Sequence, residues 1–210
     1  CNKLNLHVVC YMKTKETFID HICKLTSIPR FTGSYLVQPQ SGADHAYRVT
    51  MIALIIVDEY NNRNKKKISR EEVLMKSLLH DVEESIIGDL PSPVKYITPE
   101  FRESVRLVEE KVMKDVVLKS AGSKSKEYYK HWQQAKKDKS GKIVKIADKL
   151  EGFIKINFEI RQGNAGLIDA YIETIEWFEE NVELLSPFKA AQEMVDNYRI
   201  AELDEQRALK

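Results

Sequence analysis

The sequence predicts an all-α bundle, and two observations carry that expectation. Apolar residues recur at three- and four-residue steps through most of the chain, and no alternating strand pattern of useful length interrupts them. Size adds a third: 210 residues at 43% hydrophobic content suffice for a single domain, which at that length buries about 70% of its unfolded surface.

The first stripe, Phe18, Ile19, Ile22, Cys23 and Leu25, predicts a helix that breaks at Ile28-Pro29, because proline disfavours a helical residue before it. Residues 30–42 read as a loop. Asp44 is expected to cap a second helix, in which His45, Val49, Ile52, Ala53 and Ile56 share a face and set a histidine inward at the first turn. Ser69 and Glu72 have capping-box spacing for a third. Its stripe through Val73, Leu74, Ser77 and Leu78 runs into His80-Asp81 and stops near Gly88, so that dyad is expected to be helical and close to the core. Thr98 as cap and Pro99 at the first helical position open a fourth helix, carried by Val105, Val108, Val112 and Val116 and ending before Gly122. Ile143, Ile146, Ala147, Leu150, Phe153, Ile154 and Asn157 mark a later helix, and Leu167, Ile168, Tyr171, Ile175, Phe178 and Val182 another. Ser186-Pro187 opens a last one.

A charged fraction of 31% with a net charge of +1 describes an ordinary solvated surface. Such a balance lacks the global positive field that non-specific nucleic-acid binding needs, and points to a small partner. Cys1, Cys10 and Cys23 are odd in number and lack the paired spacing of a zinc knuckle, so they read as reduced and incidental. No leader with a cleavage site opens the chain, and the longest apolar run, Met51 to Val57, is too short for a bilayer; a cytoplasmic location is expected. Met12, followed by Lys13-Thr14-Lys15, reads as a natural start, which makes residues 1–12 an N-terminal extension whose order the sequence leaves open. The one compositional outlier is the Lys- and Ser-rich stretch Lys119 to Lys142, with Tyr128, Tyr129 and Trp132 interleaved. Basic residues among aromatics can stack on single-stranded bases, but a solvated helical excursion with its rings packed inward explains the stretch with less.

His80 and Asp81 together offer imidazole nitrogen and carboxylate oxygen, ligands suited to a divalent ion rather than a soft metal. Alone the pair is weak, since a buried histidine bonded to a nearby aspartate is common in structural roles. Glu84 follows His80 by one helical turn and shares its face, whereas Glu83 points elsewhere. Beyond it, Gly88-Asp89-Leu90-Pro91-Ser92-Pro93 is a stiff turn that sets Asp89 at the mouth of the bundle, or merely stops the helix. Asp148 interrupts an apolar helix. Metal ligation would neutralise it if it faces inward, and a rotation towards solvent would remove the puzzle equally well; periodicity leaves both open.

The order His45, then His80-Asp81, then Asp148 resembles the metal-binding signature of the HD superfamily. More specifically, the run His80-Asp81-Val82-Glu83-Glu84-Ser85-Ile86-Ile87-Gly88-Asp89-Leu90-Pro91-Ser92-Pro93-Val94-Lys95-Tyr96 resembles the YfbR-like 5′-deoxynucleotidases, with similarity from about Lys15 to the helix around Phe178 and weakest across the basic excursion. The resemblance implies a helical HD-type phosphohydrolase domain over 13–210, a homodimer, and hydrolysis of deoxynucleoside 5′-monophosphates with one divalent transition metal ion (Co, Mn, Zn or similar). It implies His45, His80, Asp81 and Asp148 as ligands, Glu84 and Asp89 as catalytic acids, and Arg30 as the side chain that orients the phosphate. Asp89 and Ser92 would lie in the substrate-binding turn, where the family has a threonine for Ser92. Phe31 stands where the family has a tryptophan packed by the sugar, a departure that bears on sugar discrimination.

Two other functions fit the same residues. An HD-type triphosphohydrolase would release tripolyphosphate from deoxynucleoside triphosphates, with Lys95 and the basic excursion holding the extra charge. A non-catalytic nucleotide sensor would bind without turnover, although the full ligand set with Glu84 and Asp89 argues for chemistry. A helical nucleic-acid-binding module is weaker still. His7, His21 and His131 have no comparable acidic company and receive no role.

Overall fold

Two long helices carry the architecture, and the shorter ones position the residues around them. The computed structural model of the chain describes residues 16–208, so the extension expected over 1–12 lies outside the described residues. In order, α1 (Phe18–Lys24) leads through a 3-10 turn at Leu25–Ser27 and a loop into α2 (Gly42–Arg63). Then come α3 (Arg70–Leu79), α4 (Glu84–Ile87), α5 (Ser92–Lys95) and α6 (Pro99–Asp115). Two 3-10 turns, Val117–Ser120 and Gly122–Lys124, precede α7 (Ser125–Gln134) and α8 (Lys139–Arg161). After a 3-10 turn at Ala165–Leu167, α9 (Ile168–Glu180), α10 (Val182–Leu185), α11 (Lys189–Asn197) and α12 (Ala201–Ala208) complete the chain. The all-α expectation holds: among the described residues the only extended pairing is an isolated antiparallel bridge between Pro29 and Ser41.

Packing of α2 against α8 and α3 forms the main core, in which Val49, Ala53, Ile56, Val57, Ile143, Ile146, Ala147, Leu150 and Phe153 are buried. A smaller cluster of Leu25, Leu79, Val82, Met113, Val117 and Leu118 lies beside it, covered by Phe18, Tyr128, Tyr129 and Trp132. The basic excursion is therefore helical with its aromatic rings packed inward, as the simpler sequence reading had it.

Several local expectations shift. Ser41, not Asp44, caps α2; Asp44 sits three residues on and its carboxylate accepts from the Ser41 amide, completing a capping box. At α3, Ser69 accepts from the Glu72 amide as the cap. The stripe is misphased: Lys76 is buried and Leu78 is 50% exposed. Lys76 goes inward because its Nζ meets both Asp138 oxygens at 2.6 and 2.5 Å and Ser140 Oγ at 2.7 Å, so the buried charge is paired. In α6, Val105, Glu109 and Met113 face inward while Val108 is exposed, because Lys95 at 2.6 Å and Arg102 at 3.5 Å neutralise Glu109. On α1 the buried residue is His21, and Ile19 and Ile22 are exposed. Ser186-Pro187 does not open the last helix, since α12 follows α11.

Two anchorages hold the loop between α1 and α2 over the end of the bundle. The Arg30 amide donates to the Gln40 carbonyl at 3.0 Å and the Gly42 amide to the Ile28 carbonyl at 2.9 Å, closing the loop at its base. Farther along, the buried Glu159 of α8 accepts from the Val37 and Gln38 amides at 2.7 and 3.0 Å, and from Lys155 at 2.5 Å.

Candidate active site

The first turn of α2 sets His45 fully inward, 1% exposed, facing α3 and α8. His80 is the C-cap of α3, and the chain turns at 80–83 before α4 begins at Glu84. The His80-Asp81 dyad thus sits at a helix end rather than within a continuous helix, as the sequence had suggested. That break swings Asp81 beside His80, with Asp81 Oδ2 at 3.0 Å from His80 Nε2 and 3.6 Å from His45 Nε2. On α8, Asp148 faces inward, which resolves the two readings left open by periodicity: its Oδ1 is 3.2 Å from His45 Nε2. The two imidazole Nε2 atoms are 3.3 Å apart.

Four ligand atoms, one each from His45, His80, Asp81 and Asp148, lie within 4.8 Å of one another. Bonds of ~2.1 Å to a four- or six-coordinate divalent ion set neighbouring donors ~3.0 to ~3.4 Å apart, so these residues fit such an ion. Each histidine is also held in the required tautomer. His45 Nδ1–H donates to Glu151 Oε2 at 2.7 Å and His80 Nδ1–H to the Ser77 carbonyl at 2.7 Å, which turns both Nε2 atoms to the centre, where an ion would take the place of any proton on them.

Electrostatics point to a cation as well. Burial and Arg30 push the His45 pKa down, yet hydrogen bonds to Asp148, Asp81 and Glu151 outweigh them and raise it to about 10. Burial works against ionising Asp81 and Asp148, but His80 and Lys136 hold the first well below the usual carboxylate range, and Lys136 and His45 hold the second there.

Around this centre stand the other residues singled out in the sequence. Arg30 reaches Asp81 with NH1 3.9 Å from Oδ2, and its Nε is buried without a hydrogen-bond partner. Glu84 is buried, and its Oε2 likewise has none. Burial together with the charges of Asp81 and Asp89 raises its pKa to about 9, so it holds a proton at neutral pH. Burial also raises Asp89 against the pull of Arg30. Glu83, which the sequence set pointing elsewhere, accepts from Trp132 Nε1 at 2.7 Å. The turn carrying Asp89 is tied to the loop carrying Arg30 and Phe31, since Thr32 Oγ1 donates to the Asp89 carbonyl at 3.0 Å. Phe31 has φ 56°, the one positive φ at a non-glycine residue among those described, and it packs on the main core. A bulky residue held there stores strain of about 1 to 3 kcal/mol, which elsewhere accumulates at functional sites. Ser92 is exposed at the start of α5, and Lys95 is occupied by Glu109.

Sequence reasoning missed two residues. Glu151, the buried partner of His45, lies three positions after Asp148 on the same face of α8, a signal that was present. Lys136, whose Nζ is 2.8 Å from Asp148 Oδ2 and 3.6 Å from Asp81 Oδ1, had none, because only the fold brings the turn before α8 to the dyad.

The family described as 5′-deoxynucleotidase YfbR-like matches residues 17–202. The chain is similar to a 5′-deoxynucleotidase YfbR of Salmonella arizonae, at 25% identity over 149 residues, 70% of this chain and 74% of the relative. Among solved structures it resembles an HD-domain phosphohydrolase from Listeria innocua (TM-score 0.64, 24% identity, 86% of this chain and 96% of that one). It also resembles an HD phosphohydrolase of cyanophage S-2L bound to dA and one catalytic Zn2+ ion (TM-score 0.60, 16% identity, 88% and 95%). At these identities the two structures speak to the fold alone.

Proposed function

The chain belongs to the YfbR-like 5′-deoxynucleotidase family, and from that premise we propose that it hydrolyses deoxynucleoside 5′-monophosphates to deoxynucleoside and phosphate, with one divalent transition metal ion held by His45, His80, Asp81 and Asp148. The observation that carries the reading is the convergence of those four side chains beside half-buried Arg30 and buried Glu84, each of which keeps a buried polar atom free of any hydrogen bond. An ion so held supplies Lewis-acid polarisation of a phosphoryl oxygen and makes a water acidic enough to attack at neutral pH.

The chain's own residues do the rest. Arg30 offers its fork to the phosphate and keeps it in register. Glu84, whose pKa burial raises, is suited to deliver a proton to the departing 5′-oxygen, and Asp89 to orient the attacking water. Phe31 packs at the sugar, and Ser92 presents its hydroxyl from the turn that carries Asp89. Burial of His45 and His80, 1% and 4% exposed, keeps bulk water from the imidazoles.

The same reading takes 13–210 as one catalytic domain, which the match over 17–202 supports, and the protein as a cytoplasmic homodimer. Tyr47, Met51 and Ile55, exposed at four-residue steps along α2, and exposed Phe158 of α8 support the dimer as apolar residues in want of cover. No described helix is long and apolar enough to cross a membrane.

The test is a metal-by-substrate matrix with product identification, run on the purified protein and on Asp81→Ala. Orthophosphate and deoxynucleoside from deoxynucleoside monophosphates, with loss of bound metal in the variant, is the expected result. Tripolyphosphate from the triphosphates with no orthophosphate from monophosphates makes the protein a triphosphohydrolase. Saturable nucleotide binding without turnover under any divalent metal makes it a sensor.

A further inference from the structure

Lys136 comes from the basic excursion, the segment that the proposed reaction leaves without a part. Its placement is built. Ala135, buried at the C-terminus of α7, abuts Gly141 so closely that a Cβ on Gly141 would collide with the Gln134 carbonyl. Asp138 caps α8 through the Gly141 amide at 2.9 Å and is itself pinned by buried Lys76. Trp132, one turn earlier on α7, is tied to Glu83 beside the dyad. The two-residue span between Ala135 and Asp138 is therefore held at both ends, and Lys136 leaves it towards the site.

The way it meets the carboxylates matters more than the fact that it does. Asp148 turns Oδ1 to His45 and Oδ2 to Lys136; Asp81 turns Oδ2 to the two histidines and Oδ1 to Lys136. The ammonium thus sits on the outer oxygens and leaves the inner ones for an ion. A lysine has three N–H donors; Asp148 at 2.8 Å is close enough to take one, while Asp81 at 3.6 Å is met by charge alone. The two aspartate charges balance a dication once it is bound, so the positive charge of Lys136 is then left over for an anion on that side.

We propose that Lys136 is a substrate-binding residue of this chain, lying between the outer oxygens of Asp81 and Asp148 and giving its remaining donors and its charge to the phosphate, alongside Arg30. The inference rests on the phosphohydrolase reading above and adds a phosphate ligand to it. The side chain of Lys136 is 41% exposed, so replacing it leaves the core intact.

The probe is inorganic phosphate, titrated calorimetrically into protein loaded with one equivalent of Co2+. Lys136→Met is expected to raise the phosphate Kd about ten- to a hundredfold, the usual size for a lost hydrogen bond between charged groups. The Kd of a deoxynucleoside, which has no phosphate, and the metal content are expected to stay within twofold. Lys137→Met, at the exposed neighbouring position, is the control and is expected to change none of these. An unchanged phosphate Kd in Lys136→Met overturns the proposal. So does loss of the ion, because Lys136 would then serve only to hold the carboxylates. Phosphate binding that depends on Lys136 in a protein that releases no phosphate from any monophosphate would uphold this inference while the hydrolase reading fails.

Discussion

Replacing Glu151 with glutamine is expected to loosen the grip on the metal ion without unfolding the protein. Glu151 touches no ion position. It is 2% exposed, accepts a hydrogen bond from His45 Nδ1–H at 2.7 Å, and is held by Gln40 Nε2 at 2.5 Å and Arg48 NH1 at 3.7 Å. Glutamine keeps the shape and removes the negative charge that makes the opposite nitrogen of His45 a better donor. Losing such a supporting partner costs about 10- to 100-fold in metal affinity, or ~1.4 to ~2.7 kcal/mol. Part of the loss is masked at neutral pH, because the same carboxylate helps hold a proton on His45 that the ion must displace. About tenfold is therefore expected at pH 7, with a larger effect at higher pH as that proton is lost. The assay is Co2+ titration of metal-free protein followed by visible absorption, with the melting temperature as a check on folding. A Co2+ affinity within twofold of the parent at both pH values, in a folded variant, would refute the argument that Glu151 sets the basicity and orientation of His45.

Glu84→Gln is expected to keep full metal content while turnover falls about a hundred- to ten-thousandfold, the usual range for a lost proton-transfer group; metal analysis beside steady-state kinetics separates the two. Gly141→Ala forces a Cβ into the Gln134 carbonyl and should cost about 1 to 3 kcal/mol, seen as a melting temperature several degrees lower. Burial opposes ionisation of Glu159, but Lys155, Asn164 and the Val37 and Gln38 amides outweigh it and depress its pKa to about 2. Its contribution is therefore fully present above about pH 4.5 and is lost as pH falls towards 2. That contribution is on the order of 3 kcal/mol, so denaturant titrations at stepped pH should show Glu159→Gln less stable at pH 7 and less sensitive to acid between pH 4.5 and 2.

Local sequence was enough for the all-helical class and for several helix ends. Three- and four-residue apolar spacing, the Thr98-Pro99 start and the Gly88 stop are decided within a few residues of themselves, and they reappear in the structure. His45, His80, Asp81 and Asp148 stood out through their resemblance to the HD signature; apolar periodicity by itself marked His45 as inward and left Asp148 open between core and solvent. Local pattern failed where a buried charge found its partner far along the chain. Lys76 and Glu109 turned inward at the expense of Leu78 and Val108 because Asp138 and Lys95 were there to meet them. The inward turn of Asp148, Glu151 beneath His45 and Lys136 on the outer oxygens depend on the packing of α2, α3, α7 and α8 together. Charge pairing acts through space, and only the tertiary structure says which residues share that space.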